Sequence, residues 1–186
     1  MKRRLKWAVG VAVLAAAAAV GTVAVAGGGK QIRENLTGYQ EVPALSTTGN
    51  GTFKARIDRN GQRISYRLTY ADLEGAVQQA HIHIGQPAIS GKIVAFLCSN
   101  LGNGPAGTPA CPPAPGTVEG VIEPADVLDT TTPTPNQGIE AGAFGELVDA
   151  IKAGATYANV HSTKWPAGEI RAQLEDDDHG DRDDDD

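Results

Sequence analysis

Between residues 31 and 174 apolar and polar positions mostly alternate, the period-two signature of strands with one face in a core. In residues 52–58, Phe53, Ala55 and Ile57 interleave with polar residues, and residues 63–70 alternate again through Ile64, Tyr66, Leu68 and Tyr70. Asn60-Gly61 lies between these runs, so they predict a hairpin closed by a tight turn, which the pair suits because both residues tolerate positive φ. Residues 31–39 read as an extended segment leading to Pro43, which lacks a backbone donor and favours an edge or exit. Residues 77–84 predict a further strand, residues 91–98 a strand apolar on both faces and hence central, and residues 116–123 a return strand. Residues 156–162 and 169–174 complete the set, joined by a turn around Trp165.

Two stretches depart from alternation. Residues 124–129 predict one helical turn. Residues 143–153 predict a short helix, because Phe144, Leu147, Val148 and Ile151 recur at helical spacing and Gly154 can close the end. Residues 130–138 are too rich in Thr and Pro to be regular. About eight short strands with one inserted helix predict an all-β fold, a single Greek-key-like β-sandwich of superoxide-dismutase-like or immunoglobulin-like form. No internal repeat or domain boundary interrupts residues 31–174.

Composition agrees: 20% of the 186 residues are charged, and 23 Gly with 11 Pro supply many turns. The net charge of −6 conceals three different segments. Lys2, Arg3, Arg4 and Lys6 precede an uncharged run over residues 7–26 that ends in Ala24-Val25-Ala26, the small-x-small form of a cleavage site. Residues 1–26 therefore read as a signal peptide. The rival is an uncleaved N-terminal anchor, which the length of the run allows and its alanine content disfavours, and a membrane partner is expected only in that case. Either way the remainder is delivered outside the cytoplasm, whether secreted, periplasmic or in the cell envelope. Residues 175–186 hold nine acidic residues and one Arg and read as a disordered acidic tail, without the ligand spacing of a calcium loop. With both ends set aside the folded part is nearly neutral and has no basic patch for nucleic acid.

Cys98 and Cys111 are the only two cysteines and bracket a 12-residue loop of Gly, Pro, Asn and small residues. In an oxidising compartment a disulfide here contributes about 3 kcal/mol. The rival role, a thiolate metal ligand at Cys98, requires the cysteines to be unpaired.

The candidate chemistry lies in Ala80-His81-Ile82-His83-Ile84-Gly85. On a strand, His81 and His83 project together while Ala80, Ile82 and Ile84 project into the core. Tyr157, Asn159 and His161 share a face in the same way, and so do Glu169, Arg171 and Gln173. If the last two strands pair, His161, Asn159, Tyr157, Glu169 and Arg171 form one polar face, which His81 and His83 join only if their strand lies in the same sheet. Three neutral imidazoles could then ligate Cu²⁺ or Zn²⁺, with Glu169 or Asn159 orienting a ring. Two other readings stay open: a metal-free polar network among these residues, and direct contact with a protein or glycan partner. Glu41 and Arg171 are candidates for an ion pair in the same network. No nucleophile elbow, phosphate loop or close carboxylate pair is present in the sequence.

Four motifs resemble, in order, those of the CHRD domain: Leu36-Thr37-Gly38-Tyr39-Gln40-Glu41-Val42-Pro43, then Ala80-His81-Ile82-His83-Ile84-Gly85, then Tyr157-Ala158-Asn159-Val160-His161-Ser162, and finally Pro166-Ala167-Gly168-Glu169-Ile170-Arg171. That domain is named for chordin, in which it is repeated, and also occurs singly in exported microbial proteins. The resemblance spans about residues 35–174. It implies an all-β sandwich loosely similar to the copper-zinc superoxide dismutase architecture, supplies no reaction, and suggests binding rather than catalysis. The chain departs from the pattern in its Cys98 to Cys111 loop, its Thr/Pro segment and its acidic tail. The function expected is an exported binding module whose histidine-rich face takes Cu or Zn. The alternatives are a dismutase-like redox metalloenzyme, for which Arg171 would be the guide residue, and a metal-free structural or adhesive envelope module.

Overall fold

A computed structural model describes residues 29–175; the signal segment expected over residues 1–26 and the acidic tail beyond Glu175 lie outside the described residues. Eight strands form: β1 (Gln31–Thr37), β2 (Asn50–Ile57), β3 (Ile64–Ala71), β4 (Val77–Ile84), β5 (Ile93–Ser99), β6 (Gly116–Ile122), β7 (Thr156–Ser162) and β8 (Ile170–Leu174). One helix, α1 (Phe144–Lys152), precedes β7, and single 3₁₀ turns span Gly38–Gln40 and Pro124–Asp126. Among the described residues no helix is long and apolar enough to cross a membrane.

All pairings are antiparallel, and the strands make one sheet in the order β5-β4-β7-β8-β1-β2-β3-β6. Between the two halves, β5-β4-β7-β8 and β1-β2-β3-β6, the strands pair at one place, where Thr37 of β1 meets Arg171 of β8. The sheet folds over at that seam, and the inner faces share one core. Phe53, Leu68 and Ile64 pack from one half, Ile82, Val160 and Ile170 from the other, and the Tyr66 hydroxyl crosses to donate to Leu97 O at 2.7 Å. The expected sandwich is thus a single sheet bent on itself. The inner face of α1, with Phe144, Leu147, Val148 and Ile151, is buried in the same core, and the Gly154 N–H closes the helix on Ile151 O.

Two local expectations are corrected. The β2–β3 hairpin forms, but residues 59–62 make a wider loop in which only Gly61 takes positive φ, at 61°. Asp58 supplies the reason: its Oδ1 accepts the Gln62 N–H at 2.8 Å, holding the four-residue turn open, while the Asp58 N–H bonds Arg63 O. The other correction concerns β5, expected in the middle of the sheet and found at its end. Its apolar faces are covered by chain rather than by a neighbouring strand on that side. The Leu128 N–H bonds Val94 O at 2.9 Å, and Lys92 is tied to Gln137 and Thr130, so the segment after β6 seals the edge.

Cys98 and Cys111 are joined in a disulfide, with Cα atoms 5.0 Å apart. That removes Cys98 as a thiolate ligand. Asn100 threads the same loop, donating to Val77 O and Cys111 O and accepting the Cys111 N–H at 3.0 Å.

Candidate metal centre

Strand β4 lies directly beside β7, with His81 opposite Asn159, His83 opposite Tyr157, and Gln79 opposite His161. Strand β8 flanks β7 on its other side, with Arg171 opposite Asn159 and Gln173 opposite Tyr157. Period-two alternation then puts His81, His83, Tyr157, Asn159, His161, Arg171 and Gln173 on one face. It is the face away from the core, yet it is covered: His81 is 0% exposed, His83 7%, His161 6%, Asn159 2% and Arg171 2%.

The three rings converge. Each offers a ligand nitrogen within 4.8 Å of the others, and His81 Nδ1 approaches His161 Nε2 to 3.2 Å. Tutored by their partners, the tautomers follow. A carbonyl oxygen only accepts, so His83 Nδ1–H donates to Gly91 O (2.9 Å) and His161 Nδ1–H donates to Pro166 O (3.0 Å). In the neutral rings both Nε2 atoms then carry lone pairs. His81 Nδ1–H donates to His161 Nε2, which leaves a lone pair on His81 Nε2 as well. The Asn159 side-chain amide also lies 3.0 Å from His161 Nε2, whose single lone pair already takes the His81 Nδ1–H. His81 Nε2 and His83 Nε2 are buried and have no hydrogen-bond partner.

Burial keeps the rings uncharged. It pushes His81 down to about 2, reinforced by the two neighbouring rings, and His83 down to about 4 against the opposing pull of the Gly91 carbonyl. His161 is lowered for the same reason. Aromatic rings complete the enclosure. Phe96 meets His81 edge-on at 4.4 Å, while Tyr157 stacks on His83 at 4.7 Å and carries the Arg171 guanidinium 3.4 Å from its ring centre. The Gly91 N–H donates to the Tyr157 oxygen at 3.2 Å, so one residue fixes both stacked rings.

Two expected members stand elsewhere. Glu169 is fully buried, but its Oε1 accepts from Thr47 Oγ1 (2.8 Å) and from the Glu74 N–H (2.7 Å), not from a histidine. The chain kinks at Gly168, with φ 135°, before β8 begins, and this turns Glu169 toward the loops before β2 and after β3. Glu41 is 8% exposed and forms no ion pair with Arg171 among the described residues. The guanidinium is instead held over Tyr157 and donates to Gln86 O at 3.1 Å. Burial raises the Glu41 carboxyl to about 7, against the Val42 N–H, the Arg171 charge and Asn159. Sequence reasoning had no hold on Gly91, Pro166 and Phe96. The first two act through backbone carbonyls that side-chain identity does not announce, and Phe96 reaches His81 through pairing of β4 with β5.

A family model, the CHRD domain, matches residues 32–174. The chain belongs to the CHRD family. The match takes in β2 to β8, all but the first residue of β1, and every residue of the histidine centre. No curated protein and no solved structure matches the chain.

The donor set of this CHRD domain is chemically suited to a borderline metal: three neutral imidazoles, no thiolate, and no carboxylate within the cluster. The Gly91 and Pro166 carbonyls hold His83 and His161 with the proton on Nδ1 and the lone pair on Nε2, as outer partners of metal-bound histidines do.

Proposed function

We propose that this CHRD domain is an exported binding module that holds one Cu²⁺ or Zn²⁺ on His81, His83 and His161. The observation that carries the reading is the pair of buried, unpartnered Nε2 atoms on His81 and His83, turned into a cluster whose third ring is fixed by Pro166. A buried acceptor without a donor costs about 1–3 kcal/mol, and a bound cation relieves two of them together. The disulfide and the basic, then uncharged, N-terminal segment support delivery to an oxidising compartment outside the cytoplasm.

Burial of the rings favours retention over turnover. The rings are enclosed by Phe96 and Tyr157, and His81 is 0% exposed, so a metal here lies beneath the surface. The experiment loads the full chain with Cu²⁺ or Zn²⁺, dialyses it, and measures bound metal and Tm for the parent and for His81→Ala, His83→Ala and His161→Ala. The parent is expected to keep close to one equivalent and to melt higher when loaded, and each variant to lose both. Retention of less than about a tenth of an equivalent by a folded parent removes the metal reading.

A further inference from the structure

On the surface beside the centre, two grooves meet at segment 41–43. The larger, of about 340 Å³, runs past Tyr39, Pro43 and Pro87 and has Arg171, Glu41 and Gln173 in its walls. The smaller, of about 190 Å³, lies on the Trp165, Pro166 and Gly168 side and again includes Glu41. Neither touches a histidine.

Three features of this surface suit a ligand. Arg171 is 2% exposed and makes no ion pair among the described residues; its hydrogen bonds, to Gln86 O and Gln173 Oε1, use Nη2 alone, although a guanidinium has five N–H donors. The Glu41 carboxyl lies near enough to feel its charge but does not bond it, so its remaining N–H donors are open to a planar anion. Glu41, 8% exposed, has an Oε1 with no partner and can accept from hydroxyl groups. Tyr39 stands 73% exposed at the mouth of the larger groove, and Trp165 walls the smaller one with its Nε1–H fixed on Glu74 Oε2 at 2.9 Å. Exposed aromatic faces beside a buried cation and a buried acceptor suit a ligand with flat C–H surfaces, hydroxyl groups and a carboxylate at once.

We propose that the two grooves bind a uronate-containing glycan, with a sugar carboxylate on Arg171, sugar hydroxyls on Glu41, and successive rings against Tyr39 and Trp165. Two adjoining small grooves, rather than one deep pocket, fit an oligomer better than a single sugar.

The test is titration calorimetry of the full chain with trigalacturonate, maltotriose and sodium acetate. Trigalacturonate is expected to bind at least about tenfold more tightly than either of the others, with a submillimolar Kd. Tyr39→Ala, which touches no core position, is expected to weaken it about fivefold or more without changing Tm, and Arg171→Lys to abolish the preference over maltotriose. No heat with trigalacturonate at about 5 mM, equal binding of maltotriose or acetate, or an unaltered Kd in Tyr39→Ala overturns the proposal. If Arg171→Lys fails to fold, the comparison of ligands and Tyr39→Ala decide. Because the grooves contain no histidine, the metal-free chain gives the same answer as the loaded one.

Discussion

Gly91 ties the histidine centre to the loop that leads into β5. Its carbonyl takes the His83 Nδ1–H and its N–H the Tyr157 oxygen, and a Cβ built there would come within 1.6 Å of Ile84 O. No rotamer relieves a clash with backbone. Gly91→Ala is therefore expected to destabilise the chain by about 2 kcal/mol or more and to weaken metal retention with all three histidines intact, as read by denaturant melts and metal analysis. The neutral rings also fix a pH dependence for the metal-free protein. His81 and His83 sit below their ordinary 6.5, so the unfolded chain binds protons that the folded one refuses, and stability is lost as pH falls below 6.5. Between pH 6 and 5 these two together contribute a slope of about 2.7 kcal/mol per unit, with His161 acting in the same sense. Glu41 acts oppositely: raised from 4.5 to about 7, it stabilises the fold when protonated and costs stability as pH rises through that window, at about 1.4 kcal/mol per unit. Denaturant melts at pH 5, 6 and 7 should thus show stability rising with pH, and more steeply in Glu41→Gln. A flat profile would show that the rings are not buried as described. At this scale the sequence revealed the pairs His81 with His83 and Asn159 with His161, because period two puts each pair on one face of its own strand. Their carbonyl partners depend on loop paths, and the turn of Glu169 toward Thr47 depends on the kink at Gly168, neither of which alternation encodes.

Among the elements, the stretch from β5 to β6 depends least on strand pairing alone. The loop between Cys98 and Cys111 contains no regular structure, and its order comes from the disulfide and from Asn100. Replacing both cysteines by Ser is expected to remove about 3 kcal/mol, a fall of roughly 6–12 °C in Tm for a chain of this size, measurable by calorimetry. The bond was legible from two cysteines and the oxidising context. The position of β5 was not, because a strand apolar on both faces can be covered by a strand or by irregular chain, and residues 124–139 supply the second kind of cover. The hairpin of β2 and β3 was legible for the opposite reason: its partners are adjacent in sequence, and each buried residue follows a polar one. Only the turn differed, where Asp58 outweighed the preference of Asn60-Gly61.

For the whole molecule, the decisive fact is the neighbourhood of β4 and β7, which brings His83 opposite Tyr157 across more than seventy residues of chain. Local pattern carries no information on such a pairing; the number of strands could be read and their order could not. The same order leaves the molecule with a single seam. β1 and β2 share seven residue pairs, β7 and β8 five, and β1 and β8 only Thr37 with Arg171. Past that pair the Gln173 N–H bonds the Gln40 side chain instead of a strand. Hydrogen–deuterium exchange should accordingly be faster for the β8 amides facing β1 than for those between β2 and β3. The seam has fewer paired residues than any other strand junction in the sheet, and Tyr39, just after β1, and Arg171 of β8 stand on its two sides. Whatever bridges them acts as a clasp, tightening the whole sheet from a contact at its surface.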